Sequence, residues 1–264
     1  MIEYKTNERA GDLMKSGIRR ILALDEIRGF AIVCMIVHHL FYDIGFVLEI
    51  SWGYRIFNFL CFFQPVFWAA FILTSGICSR LSRNPVKRGI IVLAAGAAVS
   101  LATAVIMPAM GITGAEIYFG ILSCLGCSMI ITGLFMPLLD RGNEKTGMLV
   151  TAFLFFATYK ISEKSLLFGL VSIPDFLYQS NIFSPLGFFN SSFKSADYFP
   201  LIPWLFMFLF GAVFGKYAKE GKFPEFAYKS HSRVLQFVGK NSLWFYLAHQ
   251  PALYAVMYFI KLFI

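Results

Sequence analysis

A succession of apolar runs, each about as long as a bilayer is thick, limits what this chain can fold into. A helix needs about 20 predominantly apolar residues to cross the roughly 30 Å hydrocarbon core. Such runs lie at about 24–48, 55–79, 87–108, 116–139, 199–217 and 241–263, with a shorter one at about 146–161. They predict an all-α, polytopic membrane helix bundle of about seven transmembrane helices. With 58% hydrophobic, 18% aromatic and only 14% charged residues, the chain is far from a soluble domain, where about 25% are charged. The net charge of +8 therefore does not argue for nucleic acid. Basic residues in such a chain belong in cytoplasmic loops. With the N-terminus inside, only Arg55, Lys160, Lys164, Lys194 and Lys261 of the 23 Lys and Arg fall outside. That bias predicts a cytoplasmic N-terminus and an outer C-terminus.

Residues 1–20 read as a basic cytoplasmic arm and 21–264 as a single membrane-embedded domain. The polar start shows no cleavage site, so the first run reads as an uncleaved signal anchor. Residues 162–198 mix prolines, polar groups and aromatics. They read as a long outer loop with re-entrant pieces at 166–171 and 182–189. Gln64-Pro65 is a candidate kink. The Ala- and Gly-rich run from 94 to 98 suits a tightly packed inner helix. Residues 216–240 are basic and predict an interfacial helix around 226–237. The period of an inverted-repeat transporter is missing.

The first run carries ionisable groups, which cost about 2.5–3.5 kcal/mol each at mid-membrane and are usually kept for transport or chemistry. At about 100° per residue, Asp25, Arg28, His39 and Asp43 share one stripe, with His38 about 100° away. Asp25 and Arg28 also suit a simple interfacial cap and anchor. Anchoring does not ask for His39 and Asp43. A carboxylate one turn from an imidazole can fix its tautomer and raise its basicity, which suits a general base. Tyr246, His249 and Gln250 in the last run either line the same cavity or hydrogen-bond between helices. Arg80, Arg83, Lys87 and Arg88 gather at the inner mouth, where arginines suit phosphates and topology alone also predicts them. The five cysteines lie in apolar runs, and Cys124-x-x-Cys127 has no second pair, so no metal is expected. His231 reads as a surface residue, and Trp52 and Trp204 as interface anchors.

Several blocks resemble a known family. Leu24-Asp25-x-x-Arg28-Gly29-x-Ala31-Ile32, Met35-Ile36 and His39-x-x-Tyr42-Asp43 are similar to the start of the bacterial DUF1624 proteins. Those in turn resemble the catalytic domain of heparan-alpha-glucosaminide N-acetyltransferase, within the transmembrane acyltransferase superfamily. The likeness continues through Ser75-Gly76, Tyr118-Phe-Gly-Ile-Leu122 and Asp197-Tyr-Phe-Pro-Leu-Ile-Pro-Trp204, with Gly211 and Gly215. It closes on Asn241-Ser-Leu-Trp-Phe-Tyr-Leu-Ala-His-Gln-Pro251. The collinear blocks cover about 24 to 251. The spacing Arg28-x10-His39 also resembles a signature of membrane enzymes that acetylate surface sugars. Ser123 stands where the family often has His.

The resemblance implies a membrane acyltransferase that draws acetyl-CoA from the cytoplasm and passes the acetyl group to a sugar hydroxyl or amine on the far side. It implies His39 as the catalytic histidine and Arg28 as the arginine of the CoA side. The expected site is then His39 and Asp43 for catalysis, Arg28, Asp25, Arg80, Arg83 and Arg88 for acetyl-CoA, and Tyr42, Ser123, Tyr246, His249 and Gln250 around the acceptor. The expected partners are the bilayer, acetyl-CoA and a saccharide or glycoconjugate acceptor, with a homodimer left open. A bacterial inner membrane is the expected location. The competing readings are a proton-coupled transporter or channel and a non-catalytic scaffold.

Overall fold

The computed structural model describes residues 19–263. Most of the basic arm, residues 1–18, lies outside the described residues. The fold is helical, and among the described residues four helices are long and apolar enough to cross a membrane. These are α1 (Leu22–Phe46), α2 (Ser51–Arg80), α3 (Pro85–Leu101, continued through a wider turn at Ala102–Ile106 to Ala109) and α7 (Leu201–Lys219). Between α3 and α7 come α4 (Ile121–Leu134), α5 (Met136–Arg141) and α6 (Glu144–Thr158), and after α7 come α8 (Arg233–Lys240) and α9 (Ser242–Lys261). The predicted run 116–139 is not one helix. It starts late, at Ile121, and breaks at Phe135, where Pro137 opens α5. Helix α2 continues past Pro65.

The described residues pack as two compact units. The first holds 19–74 together with 217–263, and the second is Ser75–Lys216. In the first unit the first turns of α1 grip α8. A Cβ on Gly29 would run into the Leu235 carbonyl, and one on Gly239 into the Asp25 carbonyl. The backbones thus touch where both helices carry glycine. Ser232 caps α8 by accepting from Leu235 N. The predicted interfacial helix is therefore a turn at Glu225–Tyr228 followed by α8.

In the second unit α3 packs on α4 through small residues. A Cβ on Gly96 would meet Ser123 Oγ at 2.7 Å, and one on Gly126 would meet Leu93 N at 2.6 Å. Only this stripe of α3 is inside. Ile90, Ile91 and Leu101 on its other side are exposed, so the tight packing that the small residues predict is confined to the face against α4. The block ending in Leu122 is zipped to the block around Asp197. Ala196 N donates to Glu116 O at 2.9 Å and Phe199 N to Phe119 O at 3.0 Å. Asp197 Oδ2 then accepts from Ile121 N at 3.1 Å and caps α4. Asn84 and Asn143 cap α3 and α6 in the same manner.

The segment between α6 and α7 carries a short antiparallel hairpin, β1 (Ser165–Leu166) with β2 (Val171–Ser172), and single 3-10 turns. The two predicted re-entrant pieces form the hairpin tip and the turn at Ser184–Leu186, and both present exposed side chains, Leu170 and Ile182. The segment is pinned by Lys164 to Asp175 at 2.7 Å and by the Tyr198 hydroxyl donating to Ser184 O at 2.6 Å.

Candidate active site

Helix α1 carries two polar faces. On the first, three side chains meet α9. Arg28 Nη2 donates to Ser242 Oγ. The His39 ring lies 5.1 Å from the His249 ring, centroid to centroid, tilted by 52°. Gln250 Nε2 donates to the Asp43 carboxylate at 3.2 and 3.5 Å. These are the positions that a 3.6-residue period places on one stripe. Their partners rise in the same order along α9, and Lys261 Nζ extends it by donating to Val47 O at 2.9 Å. Helices α1 and α9 therefore run in the same direction.

The second face carries His38, whose ring sits 4.8 Å from Phe57 and whose Nε2 lies 3.5 Å from Cys61 Sγ. Tyr42 follows on that face. It stacks on Phe46 at 4.6 Å and meets Phe57 at 5.3 Å. The structure thus groups Tyr42 with an aromatic cluster on α2, on the other face from the His39–His249 pair.

Around His39 the donors and acceptors can be assigned. A backbone carbonyl only accepts, so His249 Nδ1, which meets Tyr246 O, carries the proton. In a neutral ring, Nε2 then holds the lone pair. That Nε2 is buried without a hydrogen-bond partner, and so is Gln250 Oε1. His39 makes no hydrogen bond among the described residues; its neighbours are the rings of His249 and, at 5.7 Å, His38. Asp43, 1% exposed, accepts from Gln250 rather than engaging His39 one turn away. The Asp43–His39 pairing expected from spacing is thus replaced by a contact across helices. Tyr246 completes the group, with its ring 5.5 Å from that of His249.

Buried polar atoms are normally satisfied. Two unpartnered acceptors beside an unengaged imidazole make a patch that a ligand rich in O–H or N–H donors would satisfy.

The residues expected on the donor side divide between the units. In the first, Asp25 is buried and pairs with Arg20 at 2.8 Å, and Arg28 is committed to Ser242 and lies 6.0 Å from the Phe71 ring. In the second, Arg80 has a side chain 3% exposed and a guanidinium paired with Asp140, while Arg83 and Arg88 are exposed. Ser123 is buried against Gly96 of α3.

Sequence reasoning missed Glu26. Its carboxylate accepts from His231 N at 2.7 Å, Ser232 N at 2.8 Å and Gln236 Nε2 at 2.8 Å, and lies 3.2 Å from His231 Nδ1. His231 is therefore a ligand of this carboxylate as well as a surface residue. The available signal is the acidic pair Asp25-Glu26 at the start of an apolar run. Ser242, the partner of Arg28, was missed because nothing in the spacing links 28 to 242. Among the described residues no group of three His, Cys, Asp or Glu is arranged to hold a metal ion.

The chain matches the family model for heparan-alpha-glucosaminide N-acetyltransferase, catalytic, over residues 20–251. No curated protein matches it, and no solved structure does. The matched range contains His39, Asp43, His249 and Gln250.

Proposed function

The chain belongs to the heparan-alpha-glucosaminide N-acetyltransferase catalytic family, and on that premise we propose that it moves an acetyl group from cytoplasmic acetyl-CoA to a sugar hydroxyl or amine across the bilayer. The observation that carries this reading is the set around His39: an imidazole without a hydrogen bond beside two buried open acceptors, His249 Nε2 and Gln250 Oε1. A sugar offers several O–H donors from one rigid ring and answers both acceptors while presenting one more donor to His39.

In this reading His39 accepts the proton of the attacking hydroxyl or amine. The new C–O or C–N bond forms at the thioester carbonyl, the C–S bond breaks, and the CoA sulfur leaves and takes up a proton. His249 and Gln250 orient the acceptor, and Asp43 fixes the Gln250 amide so that its Oε1 faces the site. Arg83 and Arg88 are assigned to the phosphates of the donor. Arg28 and Asp25 border its path, and Arg80 holds its own region through Asp140. Tyr42, on the other face of α1 from the His39–His249 pair, and Ser123, buried against Gly96 in the second unit, are given no part in this step. The proposed topology is seven spans with the N-terminus inside and the C-terminus outside, in a bacterial inner membrane. The parallel run of α1 and α9 supports it, since an odd number of spans makes the first and last point the same way.

The test is titration calorimetry of acetyl-CoA with purified protein, paired with transfer of labelled acetyl to a panel of sugars. Wild type binds the donor and transfers. Arg83→Ala/Arg88→Ala weakens binding. His39→Ala binds normally but loses about 10²–10⁴-fold in transfer, the usual worth of a general base. Full transfer by folded His39→Ala rejects the histidine's role. Absence of donor binding to folded wild type rejects the transferase reading in favour of a proton-coupled carrier.

A further inference from the structure

Helix α8 is built inside out for a helix in water. Its inward face carries Gln236 and Gly239 along with Val238, all buried. Its outward stripe is Arg233, Val234, Phe237 and Lys240, with Val234 71% and Phe237 61% exposed. Phe226 and Trp244, on either side in the chain, are exposed to a similar degree. A surface helix of a soluble protein turns its apolar stripe to the core. This one cannot roll over, because Glu26 holds the His231 and Ser232 N–H groups that lead into it and the Gln236 amide, and Gly29 and Gly239 lock backbone to backbone.

The charges around this stripe are one-sided. The acidic groups nearby in the chain are all engaged: Asp25 with Arg20, Glu26 with α8, Glu225 with Arg19, and Glu220 with Lys222. Lys219, Lys229, Arg233 and Lys240 have no anionic partner among the described residues. The stripe also has a fixed depth. It is bolted to the first turns of α1, which is long enough to cross a bilayer, so it lies where α1 enters the membrane.

We propose that this stripe is a docking surface for anionic phospholipids, in the leaflet that the first turn of α1 enters. Phe226, Val234, Phe237 and Trp244 sit at the acyl boundary, and Lys229, Arg233 and Lys240 meet the headgroup phosphates. An apolar stripe edged by cations is the pattern of an interfacial helix, and each surface cation adds about fivefold to anionic-lipid association. A soluble phosphate ligand accounts for the cations but leaves the four apolar side chains in water. Through Glu26 and the glycine contact, lipid composition would also set the depth of α1 and of His39.

The test places full-length protein in nanodiscs of phosphatidylcholine containing either brominated phosphatidylglycerol or brominated phosphatidylcholine at equal mole fraction. Quenching of Trp244 is isolated by subtracting the signal of Trp244→Phe. The expected result is stronger quenching by the anionic lipid, falling to parity in Lys229→Gln/Arg233→Gln/Lys240→Gln. These side chains are exposed, so the variant keeps the wild-type unfolding temperature in pure phosphatidylcholine. Equal quenching in wild type, no quenching by either lipid, or a preference that survives the triple substitution overturns the proposal. So does a preference erased by millimolar CoA, which would assign the cations to a soluble nucleotide.

Discussion

At the scale of single residues, the α1–α9 contact is a set of polar pairs whose members depend on each other. Asp43 is almost fully buried and its carboxylate rests on the Gln250 amide. Removing one member strands the other, at a cost of about 1–3 kcal/mol, whereas replacing both with apolar groups of similar shape is close to neutral. Gln250→Leu should therefore lower stability in detergent by that amount, and Asp43→Leu/Gln250→Leu should regain most of it. A double-mutant cycle read by chemical unfolding checks this. A plain sum of the two single losses would show that the pair is not coupled. The stripe that carries Asp43 was legible in the sequence, because a 3.6-residue period is enough to place 28, 39 and 43 together. The partner was not. Spacing sees only neighbours on the same helix, and it offered His39, one turn away. Gln250 lies 207 residues on, and only the packing of α9 on α1 brings it there.

At the scale of elements, contacts between backbones decide which helices stay together. Gly29→Ala or Gly239→Ala pushes a methyl group into a carbonyl of the facing helix. Backbone cannot yield as a flexible side chain can, so each should cost about 3 kcal/mol, the upper end for overpacking. Gly142→Ala, whose Cβ meets only Leu139 O at 3.8 Å, should stay within about 0.5 kcal/mol, as surface changes do. Thermal unfolding of the three variants in one detergent checks the contrast, and equal losses would remove the helix contact as the cause. Glu26 acts on the same junction. Glu26→Ala leaves the His231 and Ser232 N–H groups without their acceptor and the Gln236 amide with only Ser230 Oγ, at about 1.5–3 kcal/mol, the range of one charged hydrogen bond. Glu26→Gln keeps an acceptor oxygen and should lose less. An unfolding series that ranks Gln below Ala would contradict the capping role. The blocks around Gly29, Gly120 and Asp197 were visible in sequence as separate motifs. Their physical reason appears only when Asp197 caps Ile121 and a Cβ on Gly120 would sit 2.6 Å from that carboxylate. Helix α8 was harder to read, because Val234 and Phe237 face outward while the polar Gln236 faces in, the reverse of the pattern that sequence reading assumes for a packed helix.

At the scale of the whole molecule, the apolar runs announced a helical membrane protein but not how many times the chain crosses. Among the described residues four helices have both the length and the apolar character, and α9, with 20 residues, has the length. Helices α4 and α6, with 14 and 15 residues, rise about 21–23 Å at 1.5 Å per residue, less than the roughly 30 Å core. Hydropathy counted 116–120 and 135–139 toward a full span. The Asp197 cap delays the start of α4, and the break at Phe135 ends it early. Seven crossings then require thinning of the bilayer or snorkelling at the short helices, at a modest cost per ångström. The ends of the first unit provide a direct measure of the outcome. In a cysteine-free background, Lys222→Cys lies just after α7, ahead of α8 and α9 in the chain, and Lys261→Cys lies at the far end of α9 beside Val47. Both positions are exposed, so substitution there costs little. With α1 and α9 parallel and both crossing, a membrane-impermeant maleimide should label Lys261→Cys in intact cells and Lys222→Cys only after permeabilisation. The reverse pattern would keep seven crossings and invert the chain, moving His39 to a path opened from the other side. Labelling of both positions on one side would mean that α9 does not cross. The α1–α9 stripe would then have to take its acceptor from the same side as its donor.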